Sequence, residues 1–186
     1  RTFLDSGYRA MAELRDAGRV AALGLGVNEW EICARAMADC DLDCFLLAGR
    51  YTLLEQGALE SFLPECERRQ VSVIVGGPFN SGLLAADLSR GDAHYNYETA
   101  PADKLARARR LQAVCADHKV PLTAAALQFP LAHPAVAAVI PGLANPAEIA
   151  SAIDDIGRAL PDRLWSDLKS AGLLGADVPV PGKHAT

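Results

Sequence analysis

The segment richest in possible chemistry is Gly76-Gly77-Pro78-Phe79-Asn80-Ser81-Gly82-Leu83-Leu84. It follows the apolar run Val71–Val75 directly and combines glycines with Asn and Ser. Glycine lets a backbone approach a ligand closely and turn several N–H groups inward, which suits a pyrophosphate. A flexible surface turn is the competing reading of the same residues. A second segment, Pro141-Gly142-Leu143-Ala144-Asn145-Pro146, separates the apolar run Ala135–Ile140 from a helix, and a helix N-terminus is a natural anion site. Together the two predict a phosphate-bearing cofactor lying across the last two strands. Asn28-Glu29-Trp30 and Gly49-Arg50-Tyr51-Thr52 follow two further apolar runs in the same way.

Other polar residues have plainer readings. His94, His118, His133 and His184 lack metal-ligand spacing and read as surface or packing residues, so no metal site is expected. Glu55, Glu60, Glu65 and Glu67, and the cluster Arg107, Arg109 and Arg110, read as solvated helix surfaces. No G-x-S-x-G, P-loop or H-E-x-x-H motif is present. A dinucleotide fingerprint starting at Gly24-Leu25-Gly26 would need glycine at Glu29, so a Rossmann site is excluded. Cys33, Cys40, Cys44, Cys66 and Cys115 are odd in number and form no C-x-x-C pair. That argues for reduced thiols packed in the core of a cytoplasmic protein, and against a disulfide framework or a structural zinc.

The elements that must position these segments follow from hydrophobic periodicity. Asp5–Asp16 places Tyr8, Met11 and Leu14 on one helical face, with Asp5 or Ser6 as cap and Gly18 as stop. Arg19–Val27 and Asp43–Ala48 read as strands buried on both faces, and Val71–Val75 as a β-branched third. Glu31–Asp39 and Ala58–Gln70 are helical, with Pro64 kinking the latter or marking its true start. Gly76–Ala102 is a long loop containing Tyr95 and Tyr97, of a length that is usually functional or disordered. Pro101–His118 and the segment from Pro121 toward His133 are helices. Ala135–Ile140 is a fourth strand, and Pro146–Ile156 and Pro161–Leu173 are closing helices.

The order is one helix and then four strand–helix units, which means an α/β fold with a parallel sheet. A small open sheet and half of a (β/α)8 TIM barrel both fit. A full barrel takes ~250 residues, and this chain has 186 residues. One domain over 1–186 is expected, reading as a fragment that lacks an upstream part; Arg1 is not Met, and no leader peptide follows it. The net charge of −5 makes nucleic acid an unsuitable partner. The longest apolar runs fall far short of the ~20 residues of a membrane span.

In this order the segments resemble the C-terminal half of the aldo-keto reductases. The family's strand ending in G-V-S-N corresponds to Gly26-Val27-Asn28-Glu29, its Y-S-P-L-x-x-G-L-L loop to Gly76–Leu84, and its P-G-x-x-x-P-E turn to Pro141–Pro146 with Glu148 close behind. The stretches DCFLLAGRYTLLEQ, VSVIVGGPFNSGLLA and AALQFPLAHPAV are most similar to the branch containing D-threo-aldose (L-fucose) and pyridoxal dehydrogenases. The resemblance implies a (β/α)8 barrel of which this chain is the C-terminal half, about four βα units plus terminal helices. It implies an NAD or NADP cofactor and a carbonyl or sugar substrate.

By position, the resemblance puts Asn28 at the nicotinamide carboxamide with Glu29 beside it, and folds Pro78, Phe79, Asn80, Ser81, Gly82 and Leu83 over the pyrophosphate after Gly76 and Gly77. It brings Pro141, Gly142, Leu143 and Ala144 to the adenosine phosphate and ribose, and Glu148, Ser151 and Ala152 to the adenine. Trp30, Tyr95 and Tyr97 fall near the substrate mouth. Gly76 stands where many members carry a tyrosine stacked on the nicotinamide. The family's catalytic Asp, Tyr, Lys and His belong to the first four βα units, so no catalytic residue falls within this chain, and Tyr8, Tyr51, Tyr95 and Tyr97 do not take that role. NADP-preferring members generally place Arg at the position of Glu148 and often Lys at that of Gly142, so the resemblance implies a preference for NAD. The rival expectation is a non-catalytic module that holds nucleotide without turnover.

Overall fold

The computed structural model describes residues 6–89, 93–96 and 98–182. Its centre is a four-stranded parallel sheet built from β1 (Gly24–Val27), β2 (Cys44–Ala48), β3 (Ser72–Gly76) and β6 (Val136–Ile140), in that spatial order. Helices α2 (Trp30–Asp39) and α3 (Phe62–Arg69) connect the first three strands. Between β3 and β6 come a short antiparallel hairpin, β4 (His94–Tyr95) and β5 (Glu98–Thr99), then α4 (Ala102–Asp117) and α5 (Leu122–Gln128). Helix α1 (Tyr8–Asp16) precedes the sheet, and α6 (Pro146–Ile156) and α7 (Asp162–Ser170) follow it. The α/β reading with parallel strands therefore holds. Among the described residues no helix is long and apolar enough to cross a membrane.

Strand side chains alternate between faces, and the register shows what each face does. Phe45, Leu47, Val73 and Val75 point to the helices and are fully buried. The opposite face aligns Gly26, Leu46, Ile74 and Ala138 in one row and Ala48, Gly76 and Ile140 in the next. On it Leu46 is 37% exposed and Ile140 50%. The expectation of strands buried on both faces is thus corrected: among the described residues the helices cover one face only, and an apolar run alone cannot distinguish one-sided from two-sided cover. The first strand is also shorter than Arg19–Val27. It starts at Gly24 because Arg19–Ala22 run exposed along the surface, beyond the reach of β2.

Further boundaries shift for local reasons. The predicted helix Ala58–Gln70 resolves into a 3-10 turn at Gly57–Leu59 and α3, which begins at Phe62 so that Pro64 falls in its first turn. Pro101, Pro121 and Pro161 sit at N-cap positions, just outside their helices. Helix α5 stops at Gln128 and tightens into a 3-10 turn over Phe129–Ala132, where Pro130 has no N–H to continue an α-helix. The long segment after β3 is not structureless: it holds a 3-10 turn at Leu83–Ala85 and the β4–β5 hairpin. Leu14 is 46% exposed rather than packed with Tyr8 and Met11. Asp5 and His184 lie outside the described residues.

Charged groups read as solvated are partly structural. Arg107 donates to the carbonyls of Leu54 and Leu173, Arg109 to Leu88 and Arg110 to Ala171, so the three guanidinium groups tie loops to α4. Glu55 lies outside any helix and bonds Tyr95 and Lys104. Glu65 does sit on a helix surface, where Arg68 and Arg69 hold its carboxyl down at about 2. All five thiols are free; burial raises Cys33 and Cys66 to about 12 and Cys115 to about 11, which leaves them unreactive.

Candidate functional site

A cavity of about 880 Å³ opens over the carboxyl ends of the parallel strands, where ligands of open and closed parallel sheets bind. Its volume lies within the roughly 300–1,000 Å³ of small-molecule and cofactor sites. It runs from Asn28 at the end of β1, past Ala48 and Gly49 at the end of β2, to the inner side of α6.

The loop after β3 forms one wall through Gly77, Phe79, Asn80, Ser81 and Gly82. Three consecutive residues here are left-handed: Asn80 at φ 49°, Ser81 at 56° and Gly82 at 88°. Two of them carry side chains that resist this conformation, so the fold must impose it. The Asn80 side chain does so. It is 3% exposed; its Oδ1 accepts from the Thr52 hydroxyl at 2.7 Å and its Nδ2 donates to the Gly49 carbonyl at 3.0 Å. Thr52 Oγ in turn accepts from the Leu54 and Glu55 N–H groups. The loop is thereby fastened to the exit of the neighbouring strand.

The turn after β6 is secured differently. Asn145 caps α6, its Oδ1 accepting from the Glu148 N–H at 3.0 Å, and Pro146 occupies the first helical position. The Glu148 carboxylate reaches back, accepting from the Ala144 N–H and from Asn145 Nδ2, both at 2.7 Å. Gly142, Leu143 and Glu148 line the cavity from this turn. Along α6, Ser151, Ala152 and Asp155 continue the same face, with Thr123 of α5 opposite.

The hairpin supplies the remaining wall. His94 and Asn96 face the cavity, while Tyr95 between them turns the other way. The Tyr95 hydroxyl donates to Glu55 Oε1 at 2.8 Å, and Lys104 Nζ donates to the same oxygen at 2.5 Å. Burial, then the Glu55 contact, push Tyr95 up to about 12.

The structure thus brings together Asn28, Gly77, Phe79, Asn80, Ser81, Gly82, Gly142, Leu143, Glu148, Ser151 and Ala152 around one cavity. Gly76, Pro78 and Leu83 lie buried behind its wall, and Glu29, Pro141 and Ala144 stand off its lining. Trp30 opens α2 half-buried against the core, and Tyr95 faces the Glu55 side; neither lines the cavity. Tyr97 lies outside the described residues. Tyr51 is a core residue, its ring against Phe129 and His133; its buried hydroxyl has no hydrogen-bond partner among the described residues, and burial raises its pKa.

Ala48, Ala85, His94, Asn96, Thr123 and Asp155 also line the cavity, beyond the residues that the sequence points to. Asp155 had a signal: positions 148, 151, 152 and 155 share one helical face. The others depend on chain crossings that no local pattern records. Chemically, the site can hold an extended anionic ligand on its loop wall and hydrogen-bonding groups at its α6 end.

The Aldo/keto reductase family model matches residues 3–172. A pyridoxal 4-dehydrogenase of Microbacterium luteolum is 45% identical over 168 residues, covering 90% of this chain and 49% of the relative. A D-threo-aldose 1-dehydrogenase of a Pseudomonas species is 37% identical over 171 residues, covering 92% of this chain and 52% of the relative. The chain therefore spans about half the length of the curated relatives it matches. Among solved structures, the apo form of an aldo-keto reductase of Bacillus halodurans superposes with a TM-score of 0.72 at 23% identity, over 98% of this chain and 60% of the other. A glycerol dehydrogenase of Gluconobacter oxydans gives 0.65 at 20% identity, over 98% and 57%. These likenesses give the fold: the strands and helices described here correspond to part of a (β/α)8 barrel.

Proposed function

The chain belongs to the aldo/keto reductase family, and from that premise we propose that the whole protein is an NAD(P)-dependent oxidoreductase acting on a sugar or small aldehyde or alcohol. This chain supplies the cofactor-binding half of the barrel, and the missing N-terminal half, with the catalytic groups, completes it. The carrying observation is the cavity itself, which gathers the strand-end segments and the first turns of α6 into one trough. The sheet face and the edges of β1 and β6 that are left open among the described residues fit the same reading, since closure by further strands would cover them.

The residues present suit a nicotinamide dinucleotide. The left-handed run 80–82 is backbone of the kind that forms anion-binding concavities, which suits the pyrophosphate. Asn28 offers an amide to the carboxamide, and the α6 face takes the adenosine. A bound nicotinamide supplies hydride transfer; this chain's residues bind and orient it.

NAD is the preferred form in this reading. A 2′-phosphate needs a cation, and no Lys or Arg occurs between Val120 and Gly157. Glu148 and Asp155 stand at that end instead. Arg158, just beyond, is not among the lining residues.

The test is turnover by the complete protein, offered D-threo-aldoses and pyridoxal with NAD, followed by the absorbance of the reduced nicotinamide. Turnover is expected. Nucleotide binding without turnover on any carbonyl or alcohol would favour the non-catalytic module, and absence of both would remove the proposal.

A further inference from the structure

The cavity proposed to take a dinucleotide is poorly supplied with positive charge. Among the described residues that line it, Glu148 and Asp155 are acidic, and His94 is the single side chain that can become a cation. The diphosphate bridge of a dinucleotide is a double anion, held best by charged donors. The left-handed run 80–82 meets it with backbone N–H groups and neutral side chains. The hairpin presents His94 in a fixed direction. On its far side Tyr95 donates to Glu55 Oε1 at 2.8 Å, and Lys104 donates to the same oxygen at 2.5 Å. His94 and Asn96, one residue to either side, are thereby turned to the cavity. Arg50 sets the position of the hairpin: its Nη1 donates to Asn96 Oδ1 at 3.2 Å and approaches the Gly49 carbonyl at 3.5 Å. That carbonyl also accepts from Asn80 Nδ2 at 3.0 Å. The hairpin and the run 80–82 therefore converge on one carbonyl group, with His94 two strand residues, about 7 Å, from Asn96.

We infer that His94 is the counter-ion of the diphosphate: as an imidazolium it donates to a phosphate oxygen held against the run 80–82, so that dinucleotide affinity follows pH. The inference rests on the nucleotide reading above and adds a titrating group to it. The other charged groups around the hairpin do not take this role. On β5, Thr99 lies opposite His94 and is neutral, while Glu98 lies opposite Tyr95, on the side of Glu55 and Lys104. Arg50 stands behind Asn96 and is not among the lining residues. Glu148 and Asp155, on α6, would repel a phosphate rather than hold it. Carboxylates ordinarily titrate near pH 4 and guanidinium groups above about 12, whereas imidazole changes charge between about pH 5 and 8. A phosphodiester stays anionic throughout that range. The imidazole is thus the member of this set that switches near neutrality, from a double anion's partner to a neutral ring.

The experiment measures NAD affinity of the complete protein at pH 5.5 and at pH 8, by quenching of intrinsic fluorescence at constant salt. The unmodified protein is expected to bind NAD about tenfold more tightly at pH 5.5, the scale of a charge-assisted hydrogen bond. His94→Gln should bind at both pH values as weakly as the unmodified protein does at pH 8. His94→Lys, which stays charged, should bind tightly at both. A His94→Gln variant that keeps the full pH dependence would overturn the assignment, because another group would then carry it. Equal affinity of the unmodified protein at the two pH values, which requires no variant to fold, would overturn it as well. Both results leave the nucleotide reading intact. No binding of NAD at either pH would overturn the nucleotide reading and this assignment with it.

Discussion

The loop after β3 and the turn after β6 end neighbouring strands and border one cavity, yet they are held in opposite ways. The first is anchored from beneath by the buried Asn80, which ties it to Gly49 and Thr52 of another strand–helix unit. The second is anchored at the surface by Asn145 and Glu148, all within five residues of one another. A long-range buried anchor fixes backbone that no local preference would choose, including two left-handed residues with side chains. A short-range exposed cap secures a turn already favoured by proline and a helix N-terminus, and leaves its side chains free to vary. In the proposed reading, the rigid loop serves the pyrophosphate common to both cofactors, and the adjustable turn serves the part in which NAD and NADP differ.

The contrast is removed altogether if the sheet lacks its complement. Both turns sit on a sheet that, among the described residues, has one apolar face uncovered and two unpaired edges, and α6 carries Ile149, Ile153 and Ile156 exposed on its outer side. The 186-residue chain expressed by itself is expected to self-associate and to have no dehydrogenase activity. A monomer by light scattering with cooperative unfolding would contradict the half-barrel account.

Within the complete protein, Asn80→Ala should have the largest effect of a single change. It leaves the buried Thr52 hydroxyl without its acceptor and the half-buried Gly49 carbonyl with only a long contact from Arg50, it puts alanine in a left-handed conformation, and an unsatisfied buried group costs about 1–3 kcal/mol. A loss of about 2–5 kcal/mol in urea unfolding is expected, with at least a tenfold weaker nucleotide affinity. Asn80→Gly keeps the left-handed backbone accessible. If the glycine variant were as stable as the parent, strain rather than the hydrogen bonds would be the anchor.

Changes to the exposed cap should cost less. Glu148→Ala removes the acceptor for the Ala144 N–H and is expected to cost about 1 kcal/mol, the scale of a helix cap. Glu148→Arg should carry the same stability cost and also narrow the proposed preference for NAD, since in that reading it places a cation at the ribose end. A stability loss equal to that of Asn80→Ala would erase the distinction between the two anchors.

The smallest effect concerns pH. Burial lowers His133 below its ordinary value of 6.5. The native state therefore resists a proton that the unfolded chain accepts. Stability should be complete above pH 6.5 and fall as the pH drops toward the lowered native value. His133→Gln should flatten that part of the profile measured by denaturant unfolding. A profile unchanged by the substitution would mean that other groups set the slope.

Much of this is legible in the amino-acid sequence itself. Apolar runs alternating with amphipathic helices gave the parallel sheet, because strand and helix periods are local properties of the chain. The glycine-rich and proline-rich turns marked both walls of the cavity for the same reason. What stayed hidden was set by distant partners. Asn80 reads as a loop residue, but its role as a tie to Thr52 depends on how β2 and β3 align. Glu55 resembled a helix-surface acid until the hairpin brought Tyr95 onto it. Trp30 and Tyr95 stood near the expected substrate mouth, yet their side chains face the core and Glu55, because a residue's position along the chain leaves its direction open.

The central claim is that this half of the barrel binds a nicotinamide dinucleotide through a rigid pyrophosphate loop and an adenosine end without a cation. Titrating the complete protein with NAD and with NADP under identical salt, by fluorescence quenching, tests it most directly. The account predicts saturable binding of both, with NAD the tighter. Tighter NADP binding by the unmodified protein would contradict it, because a cation would then have to reach a 2′-phosphate beside Glu148.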